Sequence, residues 1–91
     1  MMKKQKIIVS GRVQGVGFRY YTQKQAARIG IRGYVKNLYN GNVEVYAAGT
    51  EEQLTLLKQY LKTGPSLSHV DSIHVEDLAD GPDFHSFEIT F

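Results

Sequence analysis

Apolar positions recur along the chain with two periods. Ile7 to Val13 is rich in β-branched residues and runs into a glycine-containing turn, the pattern of a strand. From Phe18 the period lengthens: Phe18, Thr22 through its methyl, Ala26 and Ile29 fall on one helical face, and Gly30 follows as the residue that ends the helix. "GYVKNL" returns to alternation, with Tyr34, Lys36 and Leu38 on one side and Val35 and Asn37 on the other. Asn40-Gly41 predicts a hairpin, and "NVEVYAAG" is its returning strand, Val43 and Val45 facing one way. Thr50 with Gln53 three residues later forms a capping-box pattern ahead of Leu54, Leu57 and Leu61, a second helix stopped by Gly64-Pro65. "VDSIHVEDL" predicts a fourth strand, "ADGPDF" a turn, and "HSFEITF" a short fifth strand with Phe87, Ile89 and Phe91 on one side.

The order is β-α-β-β-α-β with one further short C-terminal strand. It predicts an α+β fold, the ferredoxin-like split βαβ sandwich, with an antiparallel sheet and two helices on one face. The first crossover makes the first two strands parallel, with the third between them, so their C-terminal ends share one edge of the sheet. Strands lie ~4.8 Å apart, which places these two ends roughly 10 Å from each other. The loop Gln14–Gly17 leaves the first end and Asn37 lies at the second.

The 91 residues predict one domain, 1–91, burying roughly 60–65% of the surface that the unfolded chain exposes. Cysteine is absent, which excludes disulfides, thiolate metal sites and a thiol nucleophile. Three apolar residues after the N-terminal lysines are too few for a signal segment, and no stretch approaches a membrane span, so the expectation is a soluble, cytoplasmic protein without a membrane partner. Charge is segregated. Residues 1–43 carry nine Lys or Arg and no acid, and residues 44–91 carry nine acids and two lysines. A basic half implies an anionic partner, although solvated lysines on helix and strand surfaces account for most of these positions.

The segment "VQGVGFR", residues 13–19, sits within the basic half and holds the candidate chemistry. A glycine-containing loop entering a helix directs unpaired backbone N–H groups and the positive dipole end toward one point, which suits phosphate or carboxylate. Gly15 and Gly17 let the backbone curl closely around such a group, and Arg19 in the first helical turn leans back toward it. An arginine there is unfavourable against the helix dipole until an anion is bound. A strand-to-helix turn can also need glycine for steric reasons alone. The spacing fails the dinucleotide fingerprint at Tyr20, and no Lys-Ser or Lys-Thr completes a Walker loop.

"GRVQGVGFR" followed by "GYVKNL" and an Asn-Gly hairpin resembles the acylphosphatase family, whose motif is G-x-V-Q-G-V-x-F-R with a later G-(aromatic)-V-(basic)-N. "GTEEQLTLLKQYL", "GPSLSHVDSIHV" and "FEITF" extend the resemblance over essentially the whole chain. It implies a monomeric enzyme that hydrolyses small acyl phosphates to carboxylate and inorganic phosphate, with no metal and no cofactor. It further implies that the backbone amides of Gln14, Gly15, Val16, Gly17 and Phe18 hold the phosphate together with Arg19, and that Asn37 orients the attacking water. The chemistry is consistent with that set: a carboxylate leaves readily without a strong acid, so positioning and charge stabilisation suffice.

Other residues carry blander expectations. His69, His74 and His85 are too scattered for a helical metal pair, and Asp77, Asp80 and Asp83 lack the calcium-loop spacing. Ser10 has no visible His–Asp partner. Tyr20, Tyr21 and Tyr39 are expected to fill the interface of helix and sheet, the alternative being that they line the acyl end of the substrate. Two rival readings remain. An RRM shares the element order, but in "RGYVKNLY" Lys36 stands where a stacking aromatic belongs and the segment falls on strand two, so no nucleic-acid partner is expected. A non-catalytic module of the same family, such as occurs in larger carbamoyl-transferring proteins, is the other.

Overall fold

The computed structural model describes residues 2–91. Its elements run β1 (Lys3–Arg12), α1 (Phe18–Ile29), β2 (Arg32–Asn37), β3 (Val43–Gly49), α2 (Glu51–Thr63), β4 (His69–Leu78) and β5 (Phe87–Ile89). The sheet order is β4-β1-β3-β2-β5. β1 is antiparallel to β3 and β3 to β2, so β1 and β2 point the same way and end at one edge, as the topology requires.

One face of the sheet is apolar because alternate residues of its strands are. Ile7 and Val9 of β1, Val35 of β2 and Val43, Val45 and Ala47 of β3 are completely buried. Phe18, Thr22 and Ala26 of α1 and Leu54, Leu57 and Leu61 of α2 close over them. Each fully buried side chain of Leu or Phe size contributes about 1.5–3 kcal/mol of transfer free energy, so this layer holds the sandwich together.

The two helices begin differently. α2 has both halves of the capping box: the Gln53 amide donates to Thr50 Oγ1 at 3.2 Å and the Thr50 amide to Gln53 Oε1 at 2.9 Å. Gln53 Nε2 also donates to the Ile29 carbonyl at 3.1 Å, tying the end of α1 to the start of α2. Thr50→Ala should therefore cost about 1 kcal/mol, read as a lower midpoint in urea, without altering the opposite end of the molecule. α1 starts at Gly17 with no side-chain cap.

Two expectations need correction. The sheet is mixed rather than antiparallel, because β5 pairs parallel to β2, Gly33 opposite Phe87. β4 lies at one edge, and the chain after it crosses the open face of the sheet to reach the other. Phe84 packs 5.8 Å from the Tyr34 ring and 5.4 Å from the Tyr46 ring, Tyr46 Oη donates to the Pro82 carbonyl and Lys4 Nζ to that of Gly81. The chain therefore enters β5 running with β2. This crossing also roofs the stacked Tyr34 and Tyr46, so those rings offer no platform for bases. β1 also starts at Lys3, not Ile7, because it is paired on both sides along Lys4–Val9.

Candidate active site

The turn between β1 and α1 is anchored from below and open above. Val13 and Phe18 are buried, and Val16 packs against the same core. Between these anchors Gly15 (φ 74°) and Gly17 (φ 78°) take left-handed conformations, and a Cβ built on either meets nothing within 4 Å. The left-handed region is where glycine alone is at ease, so the spacing of the motif follows from the path of the chain. Among the described residues, no main-chain N–H from Gln14 to Tyr20 donates to another group of the protein. The first is matched to a helix only at Tyr21, whose amide donates to the Gly17 carbonyl at 3.0 Å.

Arg19 lies in the first turn of that uncapped helix. Nη1 donates to the Thr90 carbonyl over a long 3.4 Å, and the guanidinium carbon stands 4.8 Å from the centre of the Phe91 ring. No carboxylate pairs with it among the described residues. Most of its donors are uncommitted, while the stacking fixes the plane of the group.

Asn37 ends β2 on the side facing the core. Its Oδ1 is buried without a hydrogen-bond partner, a costly arrangement for an amide oxygen. Leu38 N–H donates to the Asn42 carbonyl at 2.9 Å and Gly41 N–H to Leu38 at 3.2 Å, so the hairpin turns through Tyr39–Gly41 immediately beyond it.

These groups line one hollow of about 260 Å³, bounded by Gly15, Gly17, Arg19, Tyr20, Asn37 and Phe91 among others. A wider hollow of about 570 Å³ adjoins it and shares Arg19, Asn37 and Phe91. No Asp, Glu or His lines either one. The arrangement offers many hydrogen-bond donors, the Arg19 cation with Lys36 at the wider hollow, the neutral Asn37 amide, and no carboxylate or imidazole side chain. Such an arrangement suits an anion with a small polar molecule beside it.

The expected site residues are thus brought together at one sheet edge. The tyrosine expectation holds only for Tyr21, which is half-buried and donates to the Tyr60 carbonyl at 2.9 Å. Tyr20 is 65% exposed at the mouth of the hollow, and Tyr39 projects fully from the hairpin tip. Sequence reasoning missed the C-terminal segment at Arg19, since nothing in "EITF" says which strand edge it joins. The side-chain role of Gln14 was missed as well; its Nε2 donates to two carbonyls of the β2–β3 hairpin. The three histidines stay apart: His69 pairs with Asp71 at 3.2 Å on the surface and His74 is exposed.

The family model described as Acylphosphatase matches residues 5–89. An acylphosphatase of Pasteurella multocida is 45% identical over 91 residues, covering all of both chains. One of Vibrio cholerae is 48% identical over 90 residues, 97% of this chain and 99% of the other. The crystal structure of acylphosphatase from Bacillus subtilis superposes with a TM-score of 0.94 at 40% identity, covering the whole of both chains.

Proposed function

Given that the chain belongs to the acylphosphatase family and is accordingly a hydrolase, we propose that it cleaves small acyl phosphates at the hollow between Gly15 and Asn37. The phosphoryl group sits against the main-chain donors of Gln14 to Phe18, with the Arg19 guanidinium on its remaining oxygens. These donors are aimed before substrate arrives, so charge spreading over the equatorial oxygens in the transition state is met without reorganisation. The Asn37 side-chain amide, which lines the hollow, hydrogen-bonds the attacking water and leaves a lone pair of that water directed at phosphorus.

Water oxygen bonds to phosphorus, the bond from phosphorus to the acyl oxygen breaks, and the electron pair leaves with the carboxylate. The water's proton passes to a phosphoryl oxygen, which removes the need for a base on the protein. The observation that carries this reading is the convergence of uncommitted backbone amides, an arginine without a carboxylate and the Asn37 side chain on one hollow lined by no Asp, Glu or His. The wider adjoining hollow leaves the acyl part outside the cradle.

Hydrolysis of benzoyl phosphate in ¹⁸O-water tests it. The label is expected in the inorganic phosphate and not in the benzoate. Label in the benzoate would mean attack at the acyl carbon, and the proposed roles of cradle and Asn37 would then be wrong.

A further inference from the structure

The phosphate loop and Asn37 belong to different strands, and their separation must be held to a fraction of an ångström for water to meet phosphorus. One side chain joins them. Gln14 Nε2 donates to the Leu38 carbonyl and to the Asn42 carbonyl, both at 2.8 Å. A primary amide has two protons on that nitrogen, and both are used. The two acceptors face each other across the mouth of the β2–β3 hairpin, where each already takes a backbone bond, from Gly41 and Leu38 respectively. Gln14 therefore fills the second lone pair of both carbonyls. Its attachment point, Leu38, is the residue next to Asn37.

We infer that Gln14 is a positioning residue: its side-chain amide clamps the phosphate loop to the hairpin and sets the distance between the cradle and the Asn37 amide. This rests on the proposed role of Asn37 as the group that orients water. β3 ties the hairpin to β1, with Asn37 opposite Val43 and Val43 opposite Val9, but the other side of β2 is less supported. β5 accompanies β2 only from Gly33 to Val35, and beyond that the last bond between the two is Thr90 N–H to the Val35 carbonyl. The odd-numbered residues of β2 direct their backbone groups to the β5 side, since Leu38 bonds across to Asn42. At Asn37 that side has no partner strand, and the bonds from Gln14 hold the hairpin one residue further on, at the Leu38 and Asn42 carbonyls.

Gln14→Met keeps the length and removes both donors. The expected result is a fall in kcat of about ten- to a hundredfold, because the water is misplaced, with the inhibition constant of inorganic phosphate within about threefold of wild type, because the main-chain donors remain. A residue that merely supported the fold would weaken phosphate binding and turnover together. The decisive measurement is a double-mutant cycle on kcat with Asn37→Ala: in that background Gln14→Met should have almost no further effect, since the group it positions is gone. Gln14→Glu gives an independent reading should the Met variant not fold. Its carboxylate has no proton for either carbonyl, and its protonated form has one, so its kcat relative to wild type should rise as the pH falls through the carboxyl pKa. Wild-type kcat in Gln14→Met beside a slow Asn37→Ala overturns the inference alone, as do additive losses in the cycle or a pH-independent Gln14→Glu ratio. Wild-type kcat in Asn37→Ala overturns the reading beneath it and this inference together.

Discussion

Replacing Arg19 by alanine is expected to lower kcat/KM for benzoyl phosphate by about 10³- to 10⁵-fold, the range lost when an arginine that neutralises a transferring phosphoryl group is removed. The backbone donors would still bind phosphate, weakly. Arg19→Lys keeps the charge but loses the flat fork and the stacking on Phe91, so it should recover only part of the loss. Stability should change little. In the empty protein the guanidinium stands at the positive end of α1 with one long hydrogen bond, so Arg19→Ala should melt within about 1 kcal/mol of wild type. Added phosphate should raise the melting temperature of the wild type and leave that of the variant almost unchanged. Turnover of the folded Ala variant at the wild-type rate would remove Arg19 from the mechanism.

Asn37→Ala should reduce kcat by about 10²- to 10³-fold, comparable to losing one preorganised hydrogen-bonding group at a transition state. Inhibition by inorganic phosphate should stay within about twofold of wild type, because the variant leaves the cradle intact. Here too stability is informative. The buried Oδ1 has no partner, so deleting it removes a desolvated acceptor, and the variant should be no less stable in urea than the wild type. A large drop in stability would mean that the side chain serves the fold, and kcat alone could not then be read as catalysis. Asn37→Asp sharpens the test: it keeps the shape but sets an anion beside the phosphate, and both kcat and phosphate affinity should fall.

Local chemistry made much of this legible in the sequence. The Thr50–Gln53 pair, the turn at Asn40-Gly41 and the glycines of the loop each announce a backbone conformation through a few neighbouring residues, and each is found where expected. The split βαβ order then places Arg19 and Asn37 at one edge without any knowledge of side chains. What escaped were features decided by distant parts of the chain. Lys3 to Lys6 are polar and give no strand pattern, yet they are strand because β3 and β4 flank them. Alternation in "HSFEITF" marks a strand but cannot say that it joins the edge of β2, which is what brings Thr90 and Phe91 to Arg19. Tyr20 and Tyr39 have the composition of core residues, and only the finished packing, already filled by Phe18 and the leucines of α2, leaves them outside. Gln14 was assigned through its backbone because a side-chain contact across 24 positions has no local signature.

The uneven distribution of ionic residues has a consequence for how the chain finds this arrangement. Lys3 with Glu51, Lys4 with Asp83 and Lys36 with Glu44 each join the cationic first part of the molecule to the anionic remainder. Individually such surface contacts contribute little. In the expanded polypeptide the same opposition is a net attraction between the two halves of the sequence, and it weakens as added electrolyte shortens the screening length.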